Sequence, residues 1–151
     1  MKVSLLDVNM LIALAWPSHV HHNVAQAWFS RNAANGWATC PLTQCAFVRI
    51  SANRKIIPEA VTPQEALSLL RKIVGMKTHT FWKDDIGILH QHIPASLLVG
   101  HRQITDAYLL GLAIHHGGQL VTLDGGVSDL LPSNSAHRTA LHQVTPEFCA
   151  G

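Results

Sequence analysis

The sequence predicts a three-layer α/β domain with a mainly parallel central sheet. Three observations carry that expectation. Short strand-like runs alternate with helical periods along the whole chain. The first run, "VSLL", is apolar without polar alternation, as in a strand buried on both faces. The 151 residues match one ordinary domain, and a 48% hydrophobic composition supplies a sizeable core. A single domain over residues 1–151 is therefore expected, with right-handed crossovers between strands.

In chain order, residues 3–6 read as the first buried strand, and residues 9–15 begin a helix that Pro17 halts. Residues 21–34 have the helical spacing of Val24, Ala27, Trp28 and Phe29, and Gly36 follows as a C-terminal cap. Residues 37–40 form a second strand, broken by Pro41. Residues 42–53 read as a helix with Thr43 near its start. "TPQEALSLLRKIV", residues 62–74, is the clearest helix, with Thr62 as cap, Pro63 at the first position and Glu65 closing a capping box. Residues 78–82 form a strand, and Asp84 or Asp85 caps a short helix over 86–92. Residues 104–116 form a largely buried helix closed by "GG", residues 119–123 a strand, and residues 141–144 a last edge strand.

Composition narrows the function classes. No apolar run reaches the length of a membrane span. Asp7 and Asn9 interrupt the apolar N-terminus, and no small-residue cleavage site follows cleanly, which argues against a signal peptide. Cys40, Cys45 and Cys149 form no CxxC pair, and three thiols cannot all pair, so a reduced, cytoplasmic setting is expected. The net charge of +2 is compatible with a nucleic-acid partner without establishing one.

Only nine residues are acidic, and three stand in apolar surroundings: Asp7 in "LLDVN", Asp106 in "ITDAYLLGLA" and Asp124 in "VTLDGG". Asp7 and Asp124 follow strand-like runs, and ligands gather at the carboxyl ends of strands in such sheets. Asp106 opens a helix whose cap is expected to be Thr105. Each aspartate taken alone is explained by capping or a turn. Together, three carboxylates repel unless a cation lies among them, and hard ions such as Mg2+ or Mn2+ take oxygen ligands.

Other candidates are weaker. "HVHH" at His19, His21 and His22, and the pair His115 and His116, match no standard zinc spacing. The last two suit the C-terminal end of a helix dipole. Cys45 has no marked base, and the glycine pairs lack phosphate-loop spacing. Trp28, Trp37, Phe81 and Trp82 read as core aromatics.

"LLDVNMLIAL", "CPLTQCAFVRI", "HTFWKDD" and "ITDAYLLGLAIHHGGQLVTLD", in that order and spacing, resemble the PIN-domain family, specifically its VapC-like toxins from bacterial toxin–antitoxin pairs. The resemblance runs from Lys2 to about Val144 and implies a three-layer PIN-like fold with a Mg2+- or Mn2+-dependent endoribonuclease activity. It places metal ligands on Asp7, Asp106 and Asp124, with Asn9 and Thr105 orienting ligands or waters. It further implies a structured RNA substrate such as tRNA or a ribosomal RNA loop, a homodimer, and a cognate VapB-like antitoxin.

One position departs from that pattern: Gln44 stands where similar proteins carry a glutamate. An amide offers a neutral oxygen and cannot neutralise a dication. If Gln44 lies beside Asp7, a Gln44→Glu change is expected to tighten metal binding, unless Asp84 or Asp85 already supplies the charge. Arg49 and Arg102 are candidates for phosphate contact, or else solvated surface cations. Two rival readings follow. One is a PIN-fold module with weakened catalysis that binds RNA or a partner. The other is a Mg2+ phosphatase, disfavoured because Asn9 replaces the second acid of an Asp-x-Asp pair.

Overall fold

The computed structural model of the protein describes residues 2–146. Five parallel strands form the sheet: β1 (Ser4–Leu6), β2 (Trp37–Thr39), β3 (His79–Phe81), β4 (Gln119–Thr122) and β5 (Leu141–Gln143), in the order β3-β2-β1-β4-β5. The helices are α1 (Val8–Ala15), α2 (His22–Asn32), α3 (Pro41–Ser51), α4 (Pro63–Val74) and α5 (Ile104–His115). Among the described residues, no helix is long and apolar enough to cross a membrane. Cys149 lies outside the described residues; Cys40 and Cys45 are free thiols.

Side-chain alternation along the strands divides the core in two. Leu5, Ala38 and Leu120 point to one face and pack with α5 residues such as Leu109, Leu110 and Leu112. Leu6, Trp37 and Val121 point to the other and pack with Met10, Trp28, Phe47 and Leu70 from α1, α2, α3 and α4. The sheet is thus covered on both faces, which is why its inner strands are almost continuously buried.

Local chemistry sets the element ends. Thr62 Oγ1 accepts the Glu65 N–H at 3.2 Å, forming the expected capping box of α4. Thr43 Oγ1 accepts the Cys40 N–H at 3.0 Å at the start of α3. Gly36 closes the turn after α2 with φ of +94°, a left-handed value that favours glycine.

Three expectations are corrected. No helix forms over residues 86–92; residues 82–100 contain neither helix nor strand. Bonds from His90 N to Gly87 O and from Ile93 N to His90 O close tight i→i−3 turns, in keeping with Gly87 within the run and Pro94 just beyond it. Asp84 and Asp85 therefore cap nothing there. Asp84 Oδ1 instead accepts the Tyr108 hydroxyl at 2.8 Å, and Asp85 faces His115 and His116. Phe81 is half exposed on the edge strand, whereas Trp28, Trp37 and Trp82 are buried as expected.

Candidate active site

β1 and β4 are adjacent and parallel, paired as Ser4↔Gln119, Leu5↔Leu120 and Leu6↔Val121. The next pair along is Asp7 and Thr122, and their side chains meet: Thr122 Oγ1 donates to Asp7 Oδ2 at 2.8 Å. Asp7 Oδ1 accepts the Val8 N–H at 2.7 Å, capping α1. Thr122 is fully buried and acts as a hub, because Oγ1 also accepts from Asn9 Nδ2 at 3.2 Å and from the Asp124 N–H at 3.0 Å. Asn9 Oδ1 accepts the Leu123 N–H at 3.2 Å, tying α1 to the end of β4. Asp124 Oδ1 accepts the Gly126 N–H at 2.8 Å and starts the 3-10 turn of Gly125–Leu130. Both strand-end aspartates therefore have a capping role in addition to any ligand role.

Asp106 lies in the first turn of α5, on the layer that packs against the Asp7 face of the sheet. Burial raises its pKa to about 6, helped by the charges of Asp7 and Asp124. Burial also raises the Asp7 pKa; the bonds from Thr122 and Val8 oppose that rise, and the Asp124 charge adds to it. The three carboxylates thus feel one another's charge. Among the described residues, however, the only three metal-ligating side chains with ligand atoms all within 4.8 Å of one another are His90, His92 and His115. The aspartates are too spread to grip one bare ion directly. They suit a hard dication that keeps part of its water shell, because Mg2+ dehydrates reluctantly. Such an ion would also offset the burial, and the smaller mutual repulsion, that raise the Asp7 and Asp106 pKa values.

The remaining predicted residues surround this edge unevenly. Thr105 is not the cap of α5: Gln103 occupies that position without a side-chain cap bond, and its Oε1 accepts from Val99 N and Gly100 N. Thr105, Val8, Cys45 and Arg49 line a cleft of about 250 Å³ beside Asp7 and Asp106 in the chain. Arg102 is exposed in the 3-10 turn before α5. Gln44 takes a different direction. Its Nε2 donates to Thr39 Oγ1 at 2.9 Å, and Thr39 also bonds His79 Nε2 at 2.7 Å. Thr39 follows Ala38, so it shares the Trp37 face of the sheet, opposite the face that carries Thr122.

No protein-family profile matches the chain. Its curated relatives are more informative. It is 48% identical over 128 residues to ribonuclease VapC38 of Mycobacterium tuberculosis, covering 85% of this chain and 89% of the relative. It is 44% identical over 127 residues to ribonuclease VapC39 of the same species, covering 83% and 91%. The chain belongs to the VapC ribonuclease family. Among solved structures, it matches a chain of VapBC2 from Rickettsia felis, crystallised bound to a DNA fragment from its promoter, with a TM-score of 0.63. That likeness covers 95% of this chain at 12% identity and so concerns the fold.

Two features of this VapC-family site were missed from the sequence. Thr122 organises the Asp7 end, and its signal was present: in "QLVTLD" it takes the same inward phase as Leu120. The Tyr108–Asp84 bond had no such signal, because the two lie 24 residues apart and meet only through the packing of α5 on the 82–100 segment.

Proposed function

We propose that this chain is the toxin of a toxin–antitoxin pair, an endoribonuclease that hydrolyses phosphodiester bonds in structured RNA, such as tRNA or a ribosomal RNA loop, with Mg2+ or Mn2+. The observation that carries the reading is the coupled set of Asp7, Asp106 and Asp124 at the carboxyl edge of the sheet in a VapC-family chain. These three carboxylates would hold the ion, which supplies a bound water of lowered pKa and neutralises charge on the phosphate. Val8 N–H and Thr122 fix the Asp7 carboxylate, and Asn9 locks the β4 end that carries Asp124. Burial raises the Asp106 pKa to about 6, so this carboxyl would take up a proton in mildly acidic solution before the ion binds. Arg49 beside the cleft and Arg102 before α5 are proposed to contact RNA phosphates. The proposed partners are a VapB-like antitoxin, which masks the acidic edge, and a second copy of the chain.

The test is direct. Purified protein is incubated with bulk tRNA and ribosomal RNA in Mg2+, in Mn2+ and in chelator, and the new RNA ends are sequenced. Cleavage at discrete sites that needs the ion and disappears in Asp7→Asn supports the reading. The second reading, an RNA- or partner-binding module without cleavage, rests on the amide at Gln44. It would be supported by RNA binding without new ends in either metal.

A further inference from the structure

A second cluster of titratable groups lies at the other end of α5. Asp106 and His115 are nine residues apart on that helix, roughly 13 Å along its axis. His115 ends the helix, and the 82–100 segment folds back against it. Its approach is set by Gly111, where a Cβ would come within 2.9 Å of the Ile93 Cα and 3.1 Å of the His92 carbonyl oxygen. One turn further on, the segment presents His90 and His92 to His115. The three ring centroids are 4.7, 5.2 and 5.3 Å apart, and the ligand nitrogens all lie within 4.8 Å of one another.

We propose that His90, His92 and His115 form a binding site for a borderline transition-metal ion of the Zn2+ class, separate from the acidic edge. His92 Nδ1 and His115 Nδ1 are 3.2 Å apart. Two imidazole nitrogens on one tetrahedral zinc lie roughly 3.3 Å apart. One proton lies between those nitrogens in the metal-free state. Its transfer to the far nitrogen of the same ring frees both Nδ1 lone pairs without net proton release. His115 Nε2 then carries a proton on the side of Asp85, whose Oδ2 is 3.7 Å away, the carboxylate–histidine–metal arrangement that orients a ligand ring. Asp85 Oδ1 also lies 3.2 Å from Nε2 of His116, a ring stacked on Trp82 at a centroid distance of 4.4 Å. His90 Nδ1 accepts the His92 backbone N–H at 3.0 Å, and the ring surrenders that bond when it ligates. Three protein nitrogens leave the fourth position to water, so the ion exchanges. Its bound state clips the 82–100 segment to α5, a closure that adds stability because the segment has no regular structure of its own.

Zn2+ titration of the full chain, in saturating Mg2+ so that the acidic edge does not compete, tests this. The expected result is one Zn2+ per chain and a zinc-dependent rise in melting temperature. His92→Ala and His115→Ala should each weaken binding at least about 100-fold, and Asp85→Asn about 10-fold, the scale of losing an outer carboxylate. Asp7→Asn and a His19→Ala/His21→Ala double variant should bind as the wild type does. Absence of stoichiometric binding overturns the proposal. So does affinity that follows Asp7 or the His19–His21 pair, or that survives in both His92→Ala and His115→Ala.

Discussion

Replacing Asp106 with asparagine should stabilise the metal-free protein at neutral pH, and the gain should fade in acid. In the fold the Asp106 pKa is about 6, against an ordinary 3.8, because of burial and the charges of Asp7 and Asp124. Below pH 3.8 the group is protonated in both folded and unfolded chains and contributes no difference. As pH rises from there through about 6, the unfolded chain ionises first, so the folded state loses stability; above about 6 the whole penalty is present. A shift of this size corresponds to about 3 kcal/mol. Asp106 is only half-buried, and solvent screening reduces the figure to about 1–1.5 kcal/mol. The asparagine also loses a favourable carboxylate in the first turn of α5, worth about 0.5 kcal/mol.

The net expectation is a gain of about 0.5–1 kcal/mol, or roughly 1–4 °C in Tm for a chain of this size. Thermal unfolding in chelator, followed by circular dichroism across a pH series, reads it. Added Mg2+ should reverse the order, because it stabilises the wild type by binding and the variant less. A variant less stable than the wild type at neutral pH in chelator would refute the account. A gain that does not change with pH would show that ionisation of Asp106 is not its source.

Other outcomes follow from the same geometry. Asp7→Asn should remove detectable RNA cleavage while the circular dichroism spectrum stays native; wild-type cleavage rates in that variant would exclude Asp7 as a ligand. Thr122→Val should cost about 1–3 kcal/mol in denaturant unfolding, because the bonds to Asp7 Oδ2, Asn9 Nδ2 and Asp124 N all end on that hydroxyl. Cleavage should fall with it, and a stability equal to wild type would mean the hub is dispensable. Gln44→Glu should leave Mg2+ affinity unchanged in calorimetric titration, since the side chain at this position bonds Thr39 on the far face of the sheet. A tenfold tightening would place residue 44 at the acidic edge instead.

The strand order was not readable from the sequence, but all five strands were: the inner three because a parallel sheet covered on both faces buries them, the polar edge strands β3 and β5 only as short runs between turns and helices. The capping box at Thr62 and Glu65 and the Pro63 beside it marked α4 by backbone chemistry alone. The failures lie where local pattern yields to long-range packing. Residues 86–92 carry enough apolar spacing for a helix, yet the buried Ile86 and the Ile93 that follows the run are pinned by α5 in a turn conformation. That pinning depends on the absent side chain at Gly111, one glycine on a distant helix, which no window around residue 90 contains.

The site shows the same division more sharply. The placement of Asp7 and Asp124 at strand ends was legible because an acid there interrupts an apolar run, and at Asp7 the conflict survives as a pKa raised by burial. Gln44 was legible as a departure from a family pattern but not as a direction in space, since a helix residue's aim depends on how its helix crosses the sheet. The bond to Thr39 shows that the neutral amide serves the α3–β2 contact. A carboxylate there would leave Asp7 with the same partners it has now, Val8 N–H and the Thr122 hydroxyl, while placing a charge next to the Thr39–His79 pair. The burial that lowers the His79 pKa would then be opposed by a nearby negative charge. The first measurable sign of a glutamate at this position should therefore be at His79, on β3, rather than at the metal.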